Sequence, residues 1–142
     1  MNIKIKRFNK DLPLPKQHTE KAAAFDLYTR ETTIVPAHGI AYVPLNNVIA
    51  TPDGYFLLLA ARSGMHKRGL MLCNGIGIID PDFDGDGDEL NGVVYNFTDQ
   101  PVTVEKGDRL IQGTFIKVCD WSWEEVESMP HKDRGAFGTT GR

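Results

Sequence analysis

The sequence has few cysteines, little net charge and no long hydrophobic run. Its 142 residues include two cysteines, Cys73 and Cys119, which form neither a disulfide framework nor a zinc-ligand spacing. Both lie in apolar runs, so we expect buried free thiols in a reducing compartment, cytoplasmic or nuclear, and not a secreted protein. The net charge of −3 gives no reason to expect a nucleic-acid partner. No apolar stretch approaches the roughly 20 residues that span a bilayer, so no membrane role is expected.

Sustained helical periodicity is also scarce, whereas short alternating or β-branched runs recur along the chain. Candidate strands fall at residues 3–8, 25–28, 32–35, 41–44, 55–61, 70–73, 76–79, 93–97, 102–104 and 110–118. The first should bury one face through Ile3, Ile5 and Phe8. Residues 19–24 could form one helical turn, and residues 121–129 either a helical turn or an irregular edge. No segment of crossover length has a helical pattern, which predicts a single all-β sandwich or barrel over residues 1–129.

The stretch from residue 72 to residue 96 predicts a β-hairpin with a Gly- and Asp-rich connection. Asp80 ends its first apolar arm, where Ile78 and Ile79 would partly desolvate the carboxylate and still leave it within reach of a ligand. Such a carboxylate is suited to act as a general base. On this stretch alone a solvated turn carboxylate is the more common outcome, since most Asp-rich turns do no chemistry.

Three further polar sites interrupt apolar runs. The turn Arg62-Ser63-Gly64 follows a strand and offers a guanidinium, a hydroxyl and backbone N–H groups, which can cradle phosphates. Gln112 lies inside a strand pattern and must bond either to a ligand or water, or to a neighbouring strand. Asp26 is a carboxylate among apolar residues, and it could orient metal-bound water or simply pair with an arginine.

The C-terminal segment, residues 130–142, differs in composition from the rest of the chain. It reads PHKDRGAFGTTGR, which is cationic and glycine-rich and has too little apolar area to fold onto its own domain. Two readings remain open at this point. The segment is either a frayed tail or a flexible arm that closes over an anionic ligand through glycine N–H groups and a cation.

Five segments, taken in chain order, resemble the five motifs of the homotrimeric deoxyuridine triphosphate nucleotidohydrolases, the dUTPases. The segments are AFDLY at 24–28, RSGM at 62–65, NGIGIIDPDF at 74–83, GDRLIQ at 107–112 and RGAFGTTG at 134–141. Their order and spacing extend the resemblance over nearly the whole chain. It implies a jelly-roll-like β-barrel of the dUTPase type, in which three subunits build each active site.

The resemblance also implies a reaction and its participants. The protein would hydrolyse dUTP to dUMP and pyrophosphate, with Asp80 activating the water that attacks the α-phosphate. Mg²⁺ would be held mainly by the triphosphate and water, with Asp26 at most beside the water ligands. The implied substrate contacts are Arg62, Ser63, Gly64 and Gln112 at the phosphates; Asn74, Gly77, Ile78, Ile79, Phe83 and Asn91 at the nucleoside; and Arg134, Phe137, Gly138, Thr139 and Thr140 from the arm.

Three features depart from the family pattern. The loop after Phe83 is longer than in the family, most simply by residues 86–88. Phe83 stands where the family commonly has Tyr, so stacking on the deoxyribose is kept and the hydroxyl is lost. The arm is shorter between Arg134 and Phe137 than the usual RGxGGFG form, which makes Lys132 the alternative to Arg134 at the outer phosphate. Phe137 would cover the uracil.

Two alternative functions remain open on the sequence. A dCTP deaminase of the same fold would need a catalytic Glu after the apolar strand, where this chain has Asp80. A non-catalytic regulatory or interaction protein of this fold is the other alternative. For that function, the acidic insert at residues 84–88 is the feature that a protein partner could bind.

Overall fold

The computed structural model describes residues 1–139 and Gly141, and these residues form short antiparallel β-strands joined by turns. The strands are β1 (Ile5–Arg7), β2 (Phe25–Leu27), β3 (Thr33–Val35), β4 (Ile40–Pro44), β5 (Asn47–Ile49), β6 (Tyr55–Ala61), β7 (Leu70–Leu72), β8 (Ile76–Ile79), β9 (Asn91–Asn96), β10 (Val102–Val104) and β11 (Ile111–Lys117). A 3-10 helix, Met65–Arg68, lies between β6 and β7. Among the described residues, no helix is both long and apolar enough to cross a membrane.

Two larger sheets and two strand pairs make up the fold. The first sheet has the order β2-β11-β6-β8 and the second the order β4-β9-β7, while β1 pairs with β5 and β10 with β3. The longest ladder joins β11 to β6, from Ile111 opposite Ala61 to Lys117 opposite Tyr55. All of these pairs are antiparallel, in keeping with the absence of crossover helices from the sequence pattern.

Both sheets contribute to one hydrophobic core. Alternate residues of β6 point inward, so Leu57 and Leu59 are buried. They belong to the same buried cluster as Val43 and Val94 of the second sheet. Met65, on the 3-10 helix, joins that cluster and so fixes the turn that follows β6. The core therefore fixes the C-terminal end of β6 and the N-terminal end of β11, where the polar segments RSGM and GDRLIQ lie.

The predicted hairpin between residues 72 and 96 is wrong in its pairing. β8 pairs with β6, from Leu57 opposite Ile79 to Ala60 opposite Ile76. β9 pairs instead with β4 on one edge and with β7 on the other. Because both edges of β9 are occupied, it has no edge left for β8, and the two arms of the stretch belong to different sheets.

Burial of the first strand and of both thiols was also predicted wrongly. Ile5 and Phe8 are 37% and 41% exposed, and Ile3 alone of the three packs against the core. Cys73 and Cys119 are free and exposed, because β7 ends at Leu72 and β11 at Lys117, one and two residues before them.

The two segments considered for helical turns have no helix, and one strand was missed. Residues 19–24 contain a single turn closed by Ala22 N–H on the Thr19 carbonyl, and residues 121–129 are irregular and exposed. β5 was not predicted because its polar Asn47 breaks the apolar pattern, although the whole strand is buried.

Candidate active site

Asp26 lies at the centre of an ion-pair network that joins the segments AFDLY, RSGM and GDRLIQ. Its side chain is 8% exposed on β2, opposite Gln112 of β11. Arg62 Nε lies 3.0 Å from Asp26 Oδ1, and Arg109 donates from a terminal nitrogen to Oδ2 at 3.2 Å. Of the two roles that the sequence left open for Asp26, the structure shows the pairing with arginine. The carboxylate is therefore held on both sides, with Oδ2 accepting a hydrogen bond from Arg109 and Oδ1 paired with Arg62.

A cavity of about 400 Å³ opens beside this network. Arg62, Ser63 and Gln112, which the sequence assigned to phosphate binding, line one wall of it. The other lining residues are His18, Thr19, Ala22, Ala23, Ala24 and Asp26. Gln112 donates from Nε2 to the Ala61 carbonyl at 3.1 Å, which is the strand-bonding alternative, and it still faces the cavity. A guanidinium, a hydroxyl and an amide in one concave wall form a suitable site for an anion.

A second polar cavity, about 450 Å³, lies on the other side of Arg62. It is lined by Arg62, Gly64, Met65, Arg68, Gly107, Asp108, Arg109 and Leu110. Arg68 is neutralised there by Asp108 at 2.6 Å, and Arg62 donates to the Arg109 carbonyl at 2.9 Å. Arg62 thus forms part of both cavities, and the backbone of Gly64 is exposed in the second.

A narrow cleft separates β8 from β9. Its walls are formed by Leu59, Leu72, Asn74, Gly77, Asn91, Gly92, Val93 and Ile111. A Cβ on Gly92 would overlap Cδ1 of Ile111, and one on Gly77 would lie 3.1 Å from Cβ of Leu59. A side chain at either position would therefore force Ile111 or Leu59 to shift, so glycine favours the close packing of the cleft. Three residues assigned to the nucleoside, Asn74, Gly77 and Asn91, meet here although the hairpin pairing does not form.

Asp80 and Phe83 lie on the loop that follows β8, outside the walls of these cavities. Phe83 N–H bonds to the Asp80 carbonyl at 3.2 Å, which closes a tight turn. Asp80 and Ile78 are exposed and Ile79 is half-buried, so the desolvation expected from the two isoleucines is not provided within one chain. The prediction of a partly desolvated carboxylate is wrong for the single subunit.

The chain is anchored directly after the acidic insert, at Glu89. Arg30 bonds to Glu89 through Nε at 2.7 Å and through a terminal nitrogen at 3.1 Å, and Glu89 also accepts the Asn46 N–H at 2.9 Å. The hydrogen bond that Arg30 donates to Glu89 raises the pKa of Arg30 above its usual value. Lys6 reaches Asp86 at 3.2 Å, although Asp86 stays almost fully exposed. These bonds set the path of the chain from the loop into β9.

The C-terminal segment extends away from the sheets. Residues 118–139 are exposed, and the Phe137 ring is fully so. Phe137 has a φ of 52°, and the flanking Gly135 and Gly138 also have positive φ. Thr139 bonds back to the Ala136 carbonyl through its N–H and its hydroxyl. Arg134, Phe137, Gly138 and Thr139 are thus not brought to the cavities of their own chain, and Thr140 lies outside the described residues.

Sequence reasoning missed two residues of the site. Arg109 lies inside the segment GDRLIQ, between the polar residues Asp108 and Gln112, and this position was a usable signal. His18 had no such signal, because it lies in the irregular stretch between β1 and β2 and reaches Arg109, 91 residues away, only in the folded chain.

The fold and these cavities define an all-β protein with two polar cavities around Arg62 and a narrow cleft between β8 and β9. The dUTPase family model matches residues 10–141. A deoxyuridine 5'-triphosphate nucleotidohydrolase of Dictyoglomus turgidum is 36% identical over 148 residues, covering 99% of each protein. The crystal structure of a dUTPase from Streptococcus mutans is 31% identical, with a TM-score of 0.76 over 84% of this chain and 98% of that one.

A third similarity concerns the fold alone. The dUTPase of Staphylococcus bacteriophage 80alpha, with dUPNHPP, has a TM-score of 0.84 over 99% of this chain and 98% of that one, at 19% identity. Together with the family match, these similarities show that the chain belongs to the dUTPase family. The predicted family and the all-β fold of the dUTPase type are confirmed, and the role of each site residue stays a prediction.

Proposed function

We propose that this protein is a dUTP diphosphatase that hydrolyses dUTP to dUMP and pyrophosphate. The observation that carries the proposal is the convergence of Arg62, Ser63 and Gln112 on one cavity, in a chain of the dUTPase family. The triphosphate carries about four negative charges, which need cationic and hydrogen-bonding partners in a partly enclosed site. The dCTP deaminase alternative loses support, because the family model and the relatives named above are dUTPases.

Binding in this proposal divides between the two kinds of pocket. Arg62, Ser63, Gly64 and Gln112 hold the phosphates. Backbone groups of residues 74–79 read the polar edge of the uracil, with Asn91 on the opposite wall, and the cleft between β8 and β9 opens from its volume of about 10 Å³ to admit the base. Within the described part of the chain β8 pairs only with β6, so its edge toward the cleft keeps unpaired backbone groups for that purpose. Phe83 stacks on the deoxyribose and leaves no space for a 2′-hydroxyl.

Hydrolysis in this proposal depends on positioning and proton removal. Asp80 accepts a proton from the water that attacks the α-phosphate, and pyrophosphate leaves on the opposite side. The arm completes the site. Phe137 covers the uracil and excludes water, while Arg134, Gly138, Thr139 and Thr140 close on the outer phosphates.

The donor set of this chain fits a Mg²⁺ ion that arrives with the substrate. Across residues 1–139 and Gly141, no three His, Cys, Asp or Glu side chains are grouped to hold a metal. Asp26 is already paired with Arg62 and Arg109. The ion would therefore be held mainly by phosphate oxygens and water, and there it would neutralise charge on the phosphates. Asp26 acts on it at most by keeping Arg62 beside the phosphates.

A homotrimer is the assembly that this proposal requires. Ile40, Tyr42 and Met71 lie on one face of the second sheet and are 57%, 70% and 50% exposed. The strand register places Ile40 opposite Tyr95 and Tyr95 opposite Met71, so the side chains form one apolar surface. Trp121 and Trp123, which pack edge to face on the exposed segment after β11, add to the uncovered area. Burial of these surfaces between subunits would also bring an arm to a neighbouring site.

The same proposal also covers the domain boundaries, the cellular compartment and a protein partner. Residues 1–129 act as the β-barrel domain and residues 130–142 as its arm. The free, exposed thiols of Cys73 and Cys119 suit a reducing compartment, cytoplasmic or nuclear. A protein partner for the insert at residues 84–88 stays a prediction.

Product analysis tests the function directly. The full-length protein is incubated in Mg²⁺ with dUTP, dCTP, dTTP, dATP, dGTP and UTP, and pyrophosphate and ammonia are measured. We expect pyrophosphate from dUTP alone. Ammonia release from dCTP would instead show a deaminase, and inactivity toward every nucleotide would favour a non-catalytic protein.

A further inference from the structure

His18 occupies a defined place in the arginine network, although neither the motifs nor the proposed function assigns it a role. It lines the 400 Å³ cavity together with Arg62, Ser63 and Gln112. Its Nε2 lies 2.8 Å from a terminal nitrogen of Arg109. The same atom lies 3.4 Å from Asp26 Oδ2 and 3.4 Å from the Tyr28 hydroxyl. The imidazole is about two-thirds buried, so these neighbours fix its orientation.

The contact with Arg109 determines which ring nitrogen carries the proton. A guanidinium has only donors and does not lose its charge in proteins. At 2.8 Å, His18 Nε2 must therefore accept the hydrogen bond, which places the ring proton on Nδ1 of a neutral imidazole. A proton on Nε2 would instead point at the guanidinium.

Arg109 connects His18 to the phosphate-binding arginine. The Arg109 side chain is fixed between Asp26 and His18, and the other oxygen of Asp26 lies 3.0 Å from Arg62 Nε. Both arginine side chains are 36% exposed, and long exposed side chains lose affinity when they must be ordered by the ligand. A fixed Arg109 therefore helps to hold the Asp26 carboxylate, which in turn holds Arg62 in the orientation that faces the cavity.

We propose that His18 is a positioning residue for triphosphate binding, acting as the neutral acceptor that fixes Arg109 and, through it, Arg62. Its role toward dUTP rests on the proposed function, whereas its role toward a polyphosphate does not. His18 does not touch the reacting atoms in this scheme. Its loss therefore weakens substrate binding and leaves the chemical step nearly unchanged.

The ring state is tested first, without any activity measurement. Long-range ¹H–¹⁵N spectra of the full chain with labelled histidine are recorded for wild type and for His18→Gln, which assigns the His18 signals by their loss. At pH 8 we expect the neutral tautomer with the proton on Nδ1. A proton on Nε2 would overturn the proposal, because that nitrogen could not accept from Arg109.

Side-chain length provides a matched pair of variants. In His18→Gln the amide carbonyl reaches the position of Nε2 and can still accept, whereas in His18→Asn the shorter side chain reaches only the position of Nδ1. Loss of one hydrogen bond to a charged group corresponds to roughly a tenfold change in binding. We expect a roughly tenfold higher KM for His18→Ala and His18→Asn, with kcat within about twofold, and near wild-type KM for His18→Gln. His38→Gln, at an exposed histidine paired with Asp99, is the control.

A double-mutant cycle with Arg109→Met separates positioning from a general structural role. If His18 acts through Arg109, adding His18→Ala to Arg109→Met should change KM little further. Fully additive effects, or failure of His18→Gln to restore KM, would refute the proposal. The same variants are titrated calorimetrically with inorganic tripolyphosphate. If wild type fails to hydrolyse dUTP, the proposed function fails, while an unchanged tripolyphosphate affinity in His18→Ala would separately refute the role of His18.

Discussion

Replacement of Asp26 by Asn tests the ion-pair network at its centre. The change is nearly isosteric and removes one negative charge from a side chain that is 8% exposed. In the native chain Oδ1 lies 3.0 Å from Arg62 Nε in an ion pair, and Oδ2 accepts a hydrogen bond from Arg109 at 3.2 Å. The Asn carbonyl can still accept from one arginine, but the amide NH₂ then faces the other and repels it.

The structure sets the size of the expected loss. A hydrogen bond to a charged group contributes about 1.5 to 3 kcal/mol, and the variant weakens or loses the one from Arg109 and also loses the charge that pairs with Arg62. Removing one partner of a fully buried pair costs about 3 to 5 kcal/mol, but both arginines are 36% exposed and can turn toward water. We therefore expect a loss of about 2 to 3 kcal/mol, which lowers the Tm of a domain of this size by roughly 6 to 10 °C.

Thermal unfolding followed by circular dichroism measures this loss. Wild type and Asp26→Asn are compared at one fixed protein concentration, because association of subunits also shifts the Tm. Asp53→Asn, on an exposed turn, is the matched control and should melt within about 1 °C of wild type. If Asp26→Asn melts within about 2 °C of wild type, the two arginine contacts do not contribute as described.

Three further predictions concern catalysis and assembly. Asp80→Asn should retain dUTP binding and lose about 100-fold or more in kcat, the scale for a general base, and near wild-type turnover would exclude that role. Deleting residues 130–142 should leave the Tm unchanged and abolish most turnover, and an active truncated protein would show that the segment is only a frayed tail. Within the full chain, Arg134→Ala should lower turnover more than Lys132→Ala. Sedimentation velocity should show a trimer, and a fully active monomer would contradict the shared site.

Local sequence patterns were sufficient for the strand-rich fold and for the family. The apolar run at residues 55–61, preceded by Pro52 and Gly54, predicted β6; RSGM placed Arg62 directly after that strand, and GDRLIQ placed Gln112 inside another. These predictions succeed because a short apolar run bounded by turn residues indicates a strand locally, without reference to its partners.

Tertiary structure alone decided which strands and charges meet. The chain between β8 and β9 was predicted as a hairpin connection, but β4 and β7 occupy both edges of β9, and competition for strand edges leaves no local signal. Likewise, Asp26 lies 83 residues from Arg109 and His18 lies 91 residues from it. The sequence determined that a carboxylate and arginines were present. Only the packing of β2 against β11 determined that they neutralise one another, because an ion pair depends on distance in space and not on separation along the chain.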